Sequence, residues 1–225
     1  EIRKAVKRHG DDKLLIGEVW EDATNKISYG VLRQYLIGNE LDSVMNYPFK
    51  DAVLHFVRYG NSGEFQNKIL SICEHYPAPA LNTAMNSLST HDTARAITML
   101  AGPDGSGKDR LWEAIQSLSP QEYQLGLKRL KLAMVLQYSL PGIPCIYYGD
   151  EAGLQGYTDP FNRGCYPWGY QNEELTQFTR ALGKLRQDCP SLKDGSIRFI
   201  ETPADVVGLL RYNRTHQYLV YVNSI

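Results

Sequence analysis

Leu14-Leu15-Ile16-Gly17-Glu18-Val19-Trp20 runs apolar β-formers into a glycine, a carboxylate, a valine and a tryptophan. A continuous apolar run bounded by breakers predicts a strand buried on both faces, as in a parallel sheet covered by helices. Glu18 then stands at the strand's C-terminal end, where parallel α/β folds carry out their chemistry. A solvated glutamate closing a strand fits the same seven residues, so the flanking chain has to decide.

Upstream, residues 1–9 read as the last turns of an amphipathic helix, stopped by Gly10-Asp11-Asp12. Downstream, 22–29 is polar loop, and 31–37 predicts a short helix ended by Gly38-Asn39. Residues 41–45 predict a second strand closing on Asn46-Tyr47-Pro48, followed by helices over 49–58 and 64–74. Pro77 and Pro79 break the chain before a third strand at 84–89, which ends in Thr90-His91-Asp92. A Gly/Asp loop at 101–110 precedes the longest helix, 121–140, with Leu125, Leu132, Val135 and Leu136 on its apolar side. A fourth strand at 143–148 runs into Gly149-Asp150-Glu151, and a polar, aromatic loop leads to a last helix at 173–187. After Pro190 the pattern becomes short alternating strands at 196–201, 206–212 and 217–222, as in an antiparallel sheet.

The fold class is therefore α/β. Four strand–helix units with polar strand ends match half of a (β/α)8 TIM barrel over residues 1–190. Residues 191–225 begin an antiparallel β domain. Four strands leave two unpaired edges, and both termini read as cut, the first in mid-helix and the last just after a strand. The chain is expected to be a piece of something larger.

Composition sets limits on partners. With 43% apolar and 22% charged residues the chain is of ordinary globular character. A net charge of −1 gives no electrostatic case for nucleic acid or an anionic membrane, and no apolar run is long enough to span a bilayer. Fifteen tyrosines suit a sugar cleft, and they suit a core as well. Cys73, Cys145, Cys165 and Cys189 lack metal-ligand spacing and read as free thiols, which favours a reducing, cytoplasmic compartment.

Two strand ends carry acids, Glu18 and Asp92. In one barrel mouth they would form the carboxylate equipment of glycoside hydrolysis, one acid protonated and another ionised beside an oxocarbenium-like centre. Trp20 would supply a stacking face for a sugar ring or shield Glu18 from water. Asp92 taken alone also fits a helix N-cap, and His91 alone fits a structural histidine. Gly102-Pro103-Asp104-Gly105-Ser106-Gly107-Lys108 has the spacing of a phosphate loop, but Asp109 follows where Ser or Thr is needed and no buried strand feeds it. Nucleotide binding is not expected.

With these motifs in order, the chain resembles the C-terminal half of the catalytic barrel of the α-amylase family (glycoside hydrolase family 13), with the start of its β-sandwich C-terminal domain. Gly17-Glu18-Val19-Trp20 resembles the fifth-strand motif, whose glutamate is the acid/base. Ser89-Thr90-His91-Asp92 resembles the seventh-strand motif, implying that Asp92 stabilises the transition state and His91 bonds the sugar. Met45-Asn46-Tyr47-Pro48-Phe49 is similar to the sixth-strand end of the neopullulanase, cyclomaltodextrinase and maltogenic amylase group. Tyr147-Tyr148-Gly149-Asp150-Glu151 and Asp159-Pro160-Phe161-Asn162-Arg163 resemble the eighth strand and its loop, implying sugar contacts from Asp159 and Arg163. Tyr47 and Trp20 would shape the same cleft.

The resemblance implies a retaining hydrolase of α-1,4-linked glucans, cyclodextrins or pullulan, with α-1,6 linkages also open. A transglycosylase or isomerase of the family, or a non-catalytic amylase-like scaffold, would share the fold. The family's nucleophile lies in a Gly-x-Arg-x-Asp motif, and no such motif occurs in these 225 residues. The chain alone is therefore expected to be inactive. No cofactor is implied. Calcium is known in some members, yet no metal ligand cluster is apparent here. The group's dimers form through an N-terminal domain that has no counterpart in this sequence.

Overall fold

The computed structural model describes residues 1–224. Helix α1 (Ile2–Lys7) delivers Arg3 and Lys7 to the Asp42 carboxylate, at 2.8 and 3.0 Å. Asp42 also accepts the Leu15 N–H at 2.8 Å. Burial pulls its pKa up, but that N–H and the two cations outweigh burial and hold it below the usual carboxylate value. The clamp aligns β1 (Ile16–Gly17) for parallel pairing further on, where Gly17 permits a close approach: a Cβ there would lie 2.3 Å from Leu41 Cδ1.

The strand expected over 14–19 is shorter and more open than its sequence suggests. Leu14 is 51% and Ile16 37% exposed. Its partner lies on one edge only, so among the described residues nothing covers the other side. The helix expected at 31–37 is also absent. Instead β2 (Ile27–Ser28) and β3 (Val31–Leu32) make an antiparallel hairpin. Tyr29 and Gly30 both have positive φ (54° and 74°), the signature of a two-residue hairpin turn whose twist matches the strands. Val31, Leu32 and Ile37 are all exposed and only Leu36 of this segment is buried, so no continuous helical face is covered there to offset that local preference.

The remaining strands and the long helices follow the expected order, joined by short helices at Ala78–Asn82, Ala96–Ala101, Arg110–Ile115 and Pro190–Asp194 that are not among the expected elements. In chain order these are β4 (Ser43–Val44), α2 (Tyr47–Tyr59), α3 (Ser62–His75), α4 (Ala78–Asn82), β5 (Met85–Ser87), α5 (Ala96–Ala101), α6 (Arg110–Ile115), α7 (Pro120–Ser139), β6 (Ile143–Cys145), α8 (Glu173–Asp188) and α9 (Pro190–Asp194). Strands β1 and β4 pair in parallel, a Met45–Met85 bridge joins β4 to β5, and β5 pairs in parallel with β6. All four C-terminal ends therefore open on one side.

A buried amide relay holds three of those strands in register. Asn46 accepts the Phe49 N–H to cap α2 and donates to Asn86 Oδ1 at 2.9 Å. Asn86 donates to the Pro141 carbonyl, and Gln137 donates to the carbonyls of Asn86 and Cys145. Gly142 (φ 109°) is needed here, because a Cβ would sit 2.6 Å from the Asn86 amide nitrogen.

Helix α7 starts on a capping box, Ser119 with Glu122. Its buried side is Gly126, Leu127, Leu130, Ala133, Met134 and Gln137 together with Leu136. Of the expected face, Leu136 is fully buried and Leu132 and Val135 pack half-buried against the core, while Leu125 is exposed. A Cβ on Gly126 would come 2.7 Å from Ile97, so close packing against α5 turns the helix away from Leu125.

Strands β7 (Ser196–Ile200), β8 (Val206–Tyr212) and β9 (Gln217–Asn223) form an antiparallel sheet, as expected. Its Val207, Leu209 and Val222 join the same apolar core as Phe49, Phe56, Leu130 and Met134. Arg211 is fully buried and donates to the carbonyls of Ser139 and Gly195, and burial lowers its pKa to about 10. All four cysteines are free. No helix among the described residues is long and apolar enough to cross a membrane.

Candidate active site

Glu18 follows β1, Tyr47 opens α2 after β4, and His91 and Asp92 lie just beyond β5. Parallel pairing brings these strand ends together. One acidic oxygen each from Glu18 and Asp92 and one ring nitrogen of His91 lie within 4.8 Å of one another. His91 Nε2 is 3.2 Å from Asp92 Oδ2. The three groups that the sequence singled out for chemistry thus share one open cluster.

Tyr47 holds Glu18. Its hydroxyl donates to Glu18 Oε1 at 2.9 Å and lies 3.4 Å from Thr90 Oγ1. Burial first, then the nearby charges of Glu18 and Asp92, raise its pKa to about 12, so it remains a donor at any ordinary pH. Trp20 stacks on the Tyr47 ring at 4.2 Å between centroids and 16° between planes. Tyr47 is 2% exposed and Trp20 50%, so Trp20 presents the open aromatic surface and Tyr47 fixes what lies behind it.

On the opposite side, Arg163 Nη2 lies 3.6 Å from Asp92 Oδ1. Its Nε is 2.9 Å from Asp159 Oδ1 and also donates to the His91 carbonyl. Both loop residues expected at the cleft therefore reach it, Asp159 through Arg163. The His/Glu/Asp donor set has the size of a cation site, but the guanidinium already beside Asp92 opposes a second positive charge.

The N-cap alternative for Asp92 does not apply. Helix α5 begins at Ala96, whose N–H is accepted by Ser89 Oγ at 2.8 Å, so the Asp92 carboxylate is left to face the cluster. The phosphate-loop spacing is likewise empty of meaning. Residues 102–108 follow helix α5 rather than a strand, and Asp109 caps α6 by accepting the Trp112 N–H.

Sequence reasoning missed the support beneath the site. Arg95 and Asp150 are both buried and pair at 3.2 Å, and Ser89 Oγ donates to the same Asp150 oxygen at 2.9 Å. Arg95 also donates to the carbonyls of Tyr148 and Asn162, and its guanidinium lies over the rings of Tyr147 and Tyr148. The Asn162 amide donates to the carbonyls of Thr90, His91 and Thr93. This network ties the 89–93 turn to the 147–163 loop and so sets where His91 and Asp92 stand. The available signal was an arginine at the head of the apolar run Ala96-Ile97-Thr98-Met99-Leu100.

The model of the alpha amylase catalytic domain matches residues 1–194. The chain belongs to the α-amylase family. An amylopullulanase from Thermoanaerobacter thermohydrosulfuricus is 34% identical over 217 residues, covering 91% of this chain and 14% of that relative. A cyclomaltodextrinase from Geobacillus thermopakistaniensis is 32% identical over 219 residues, covering 96% of this chain and 32% of its own length. Among solved structures, the type III pullulan hydrolase from Thermococcus kodakarensis superimposes with a TM-score of 0.80 at 28% identity, covering 99% of this chain and 36% of that one. The chain thus spans about a third or less of these curated relatives. The matched span includes the residues gathered at the strand ends.

Proposed function

We propose that these residues form the acid/base half of a retaining α-glucan hydrolase site. Residues 1–190 would be strands five to eight of a (β/α)8 barrel, and 191–225 the start of the C-terminal β domain. The observation that carries this is the meeting of Glu18, His91 and Asp92 at the ends of separate parallel strands, with Tyr47 bonded to Glu18. Glu18 protonates the leaving oxygen and later activates water, the acid-then-base exchange of retaining enzymes. Asp92 stabilises the distorted sugar, His91 and Trp20 bind it, and Arg163 with Asp159 engages the next sugar along.

Carboxylates this close would, on spacing alone, suit an acid and a nucleophile. The family motif that supplies the nucleophile is absent from the 225 residues, so Asp92 is assigned the stabilising role and the chain by itself binds without turnover. Relatives named for cyclodextrins and pullulan support an α-linked substrate class. Titration followed by NMR should then give shifts near Trp20 and His91 with maltotriose and none with cellotriose, its β-1,4 counterpart. Equal shifts with both sugars would overturn the α-glucan assignment.

A further inference from the structure

A groove of about 560 Å³ leaves the catalytic cluster at Asp92 and Thr93 and follows the outer face of α2, well within the size of small-ligand pockets. One wall carries Asp51, His55 and Tyr59, spaced four residues apart on α2 and so on one side of that helix. The opposite wall includes Asp104 and Glu113. We propose that this groove is a second α-glucan pocket, taking a maltooligosaccharide segment beside the one at Glu18 and Asp92. The proposal rests on the α-glucan reading above.

Three observations define the ligand. Carboxylates outnumber the lysine and arginine in the lining, which disfavours phosphates and other anions. Tyr59 is 66% exposed, with its ring 5.1 Å from His55 and Arg58 Cζ 5.3 Å from its centroid, which leaves an aromatic surface open to solvent of the kind on which sugar rings stack. The Lys50 side chain is only 6% exposed, and among the described residues its ammonium is paired with Asp51 alone, at 2.6 Å. Two of its three N–H donors are thus left for an incoming acceptor. A flat aromatic face, carboxylate acceptors and spare ammonium donors together fit a neutral polyhydroxylated ligand.

The far wall is built rather than loose. Tyr157 donates to the Pro103 carbonyl at 2.8 Å, Thr158 to Glu113 Oε2 at 2.7 Å, and Trp112 packs edge-on against Tyr157. Arg58 donates to the carbonyls of Met99 and Gly102, joining α2 to the start of that wall. Because Tyr157 and Thr158 lead directly into Asp159 and Arg163, the groove and the catalytic cleft share a side.

Calorimetric titration of the 225-residue chain with maltotriose tests this, comparing Tyr59→Ala and Asp51→Asn with Trp20→Ala. Tyr59 is largely exposed, so Tyr59→Ala leaves the fold intact. Asp51→Asn keeps an oxygen acceptor for the buried Lys50 ammonium but removes its counter-charge, so circular dichroism checks that this variant is folded. The expected result is two classes of site, one weakened about tenfold by Tyr59→Ala and the other only by Trp20→Ala. Wild-type titrations from both groove variants, with binding abolished by Trp20→Ala, would overturn the groove and leave the catalytic reading standing. Loss in the groove variants alone, with Trp20→Ala titrating as wild type, would uphold the groove and count against the cleft.

Discussion

Arg95→Met lowers unfolding stability by about 3–5 kcal/mol near neutral pH, because it strands a buried carboxylate. Asp150 is 4% exposed, and burial raises its pKa to about 6 even with Arg95 and Ser89 bonded to it. A carboxyl group that binds its proton more tightly when folded contributes stability that is complete below its unfolded pKa near 4 and is lost as pH rises through 6. At neutral pH the guanidinium offsets the cost of the ionised form. Without it Asp150 takes up a proton more readily still, so the deficit relative to wild type shrinks between about pH 7.5 and pH 5. Urea unfolding at the two pH values measures this. A deficit under about 1 kcal/mol, or one that grows on acidification, would contradict the role given to the pair.

Trp20→Ala weakens maltotriose binding by about 2 kcal/mol, some 30-fold, with the fold intact. The ring is half exposed, so its removal opens no core cavity. Two things are lost together: the open stacking surface and the cover over Tyr47, whose hydroxyl holds Glu18 at 2.9 Å. Trp20→Phe keeps a stacking ring and should retain most of the affinity. Equal losses in the two variants would point to the indole N–H rather than the aromatic face, and unchanged affinity in both would remove Trp20 from the site.

The meeting of Glu18, His91 and Asp92 at one end of the strands was legible because each follows an apolar run with a breaker or polar cluster beside it, a local pattern tied to parallel strand ends. The long helices were equally legible from periodicity. The hairpin at 27–32 was not, since Tyr29 adopts a positive φ that its side chain does not advertise. On α7 only Leu125 was misplaced, because Gly126, counted as no apolar residue, sets a close approach to Ile97. Arg95, Asp150 and Asn162 escaped for another reason. Their importance comes from partners 53 to 72 positions away, and no local pattern encodes a pairing at that distance.

In the proposed function these residues bind an α-glucan through an acid/base half-site and do not cleave it. Calorimetric titration of the purified chain with maltotriose, run beside a sugar-release assay and repeated with Asp92→Ala, tests it most directly. The expected result is binding that Asp92→Ala weakens, with no sugar released by either protein. Release of sugar by the wild-type chain would contradict it, making Asp92 the nucleophile that its distance from Glu18 would allow.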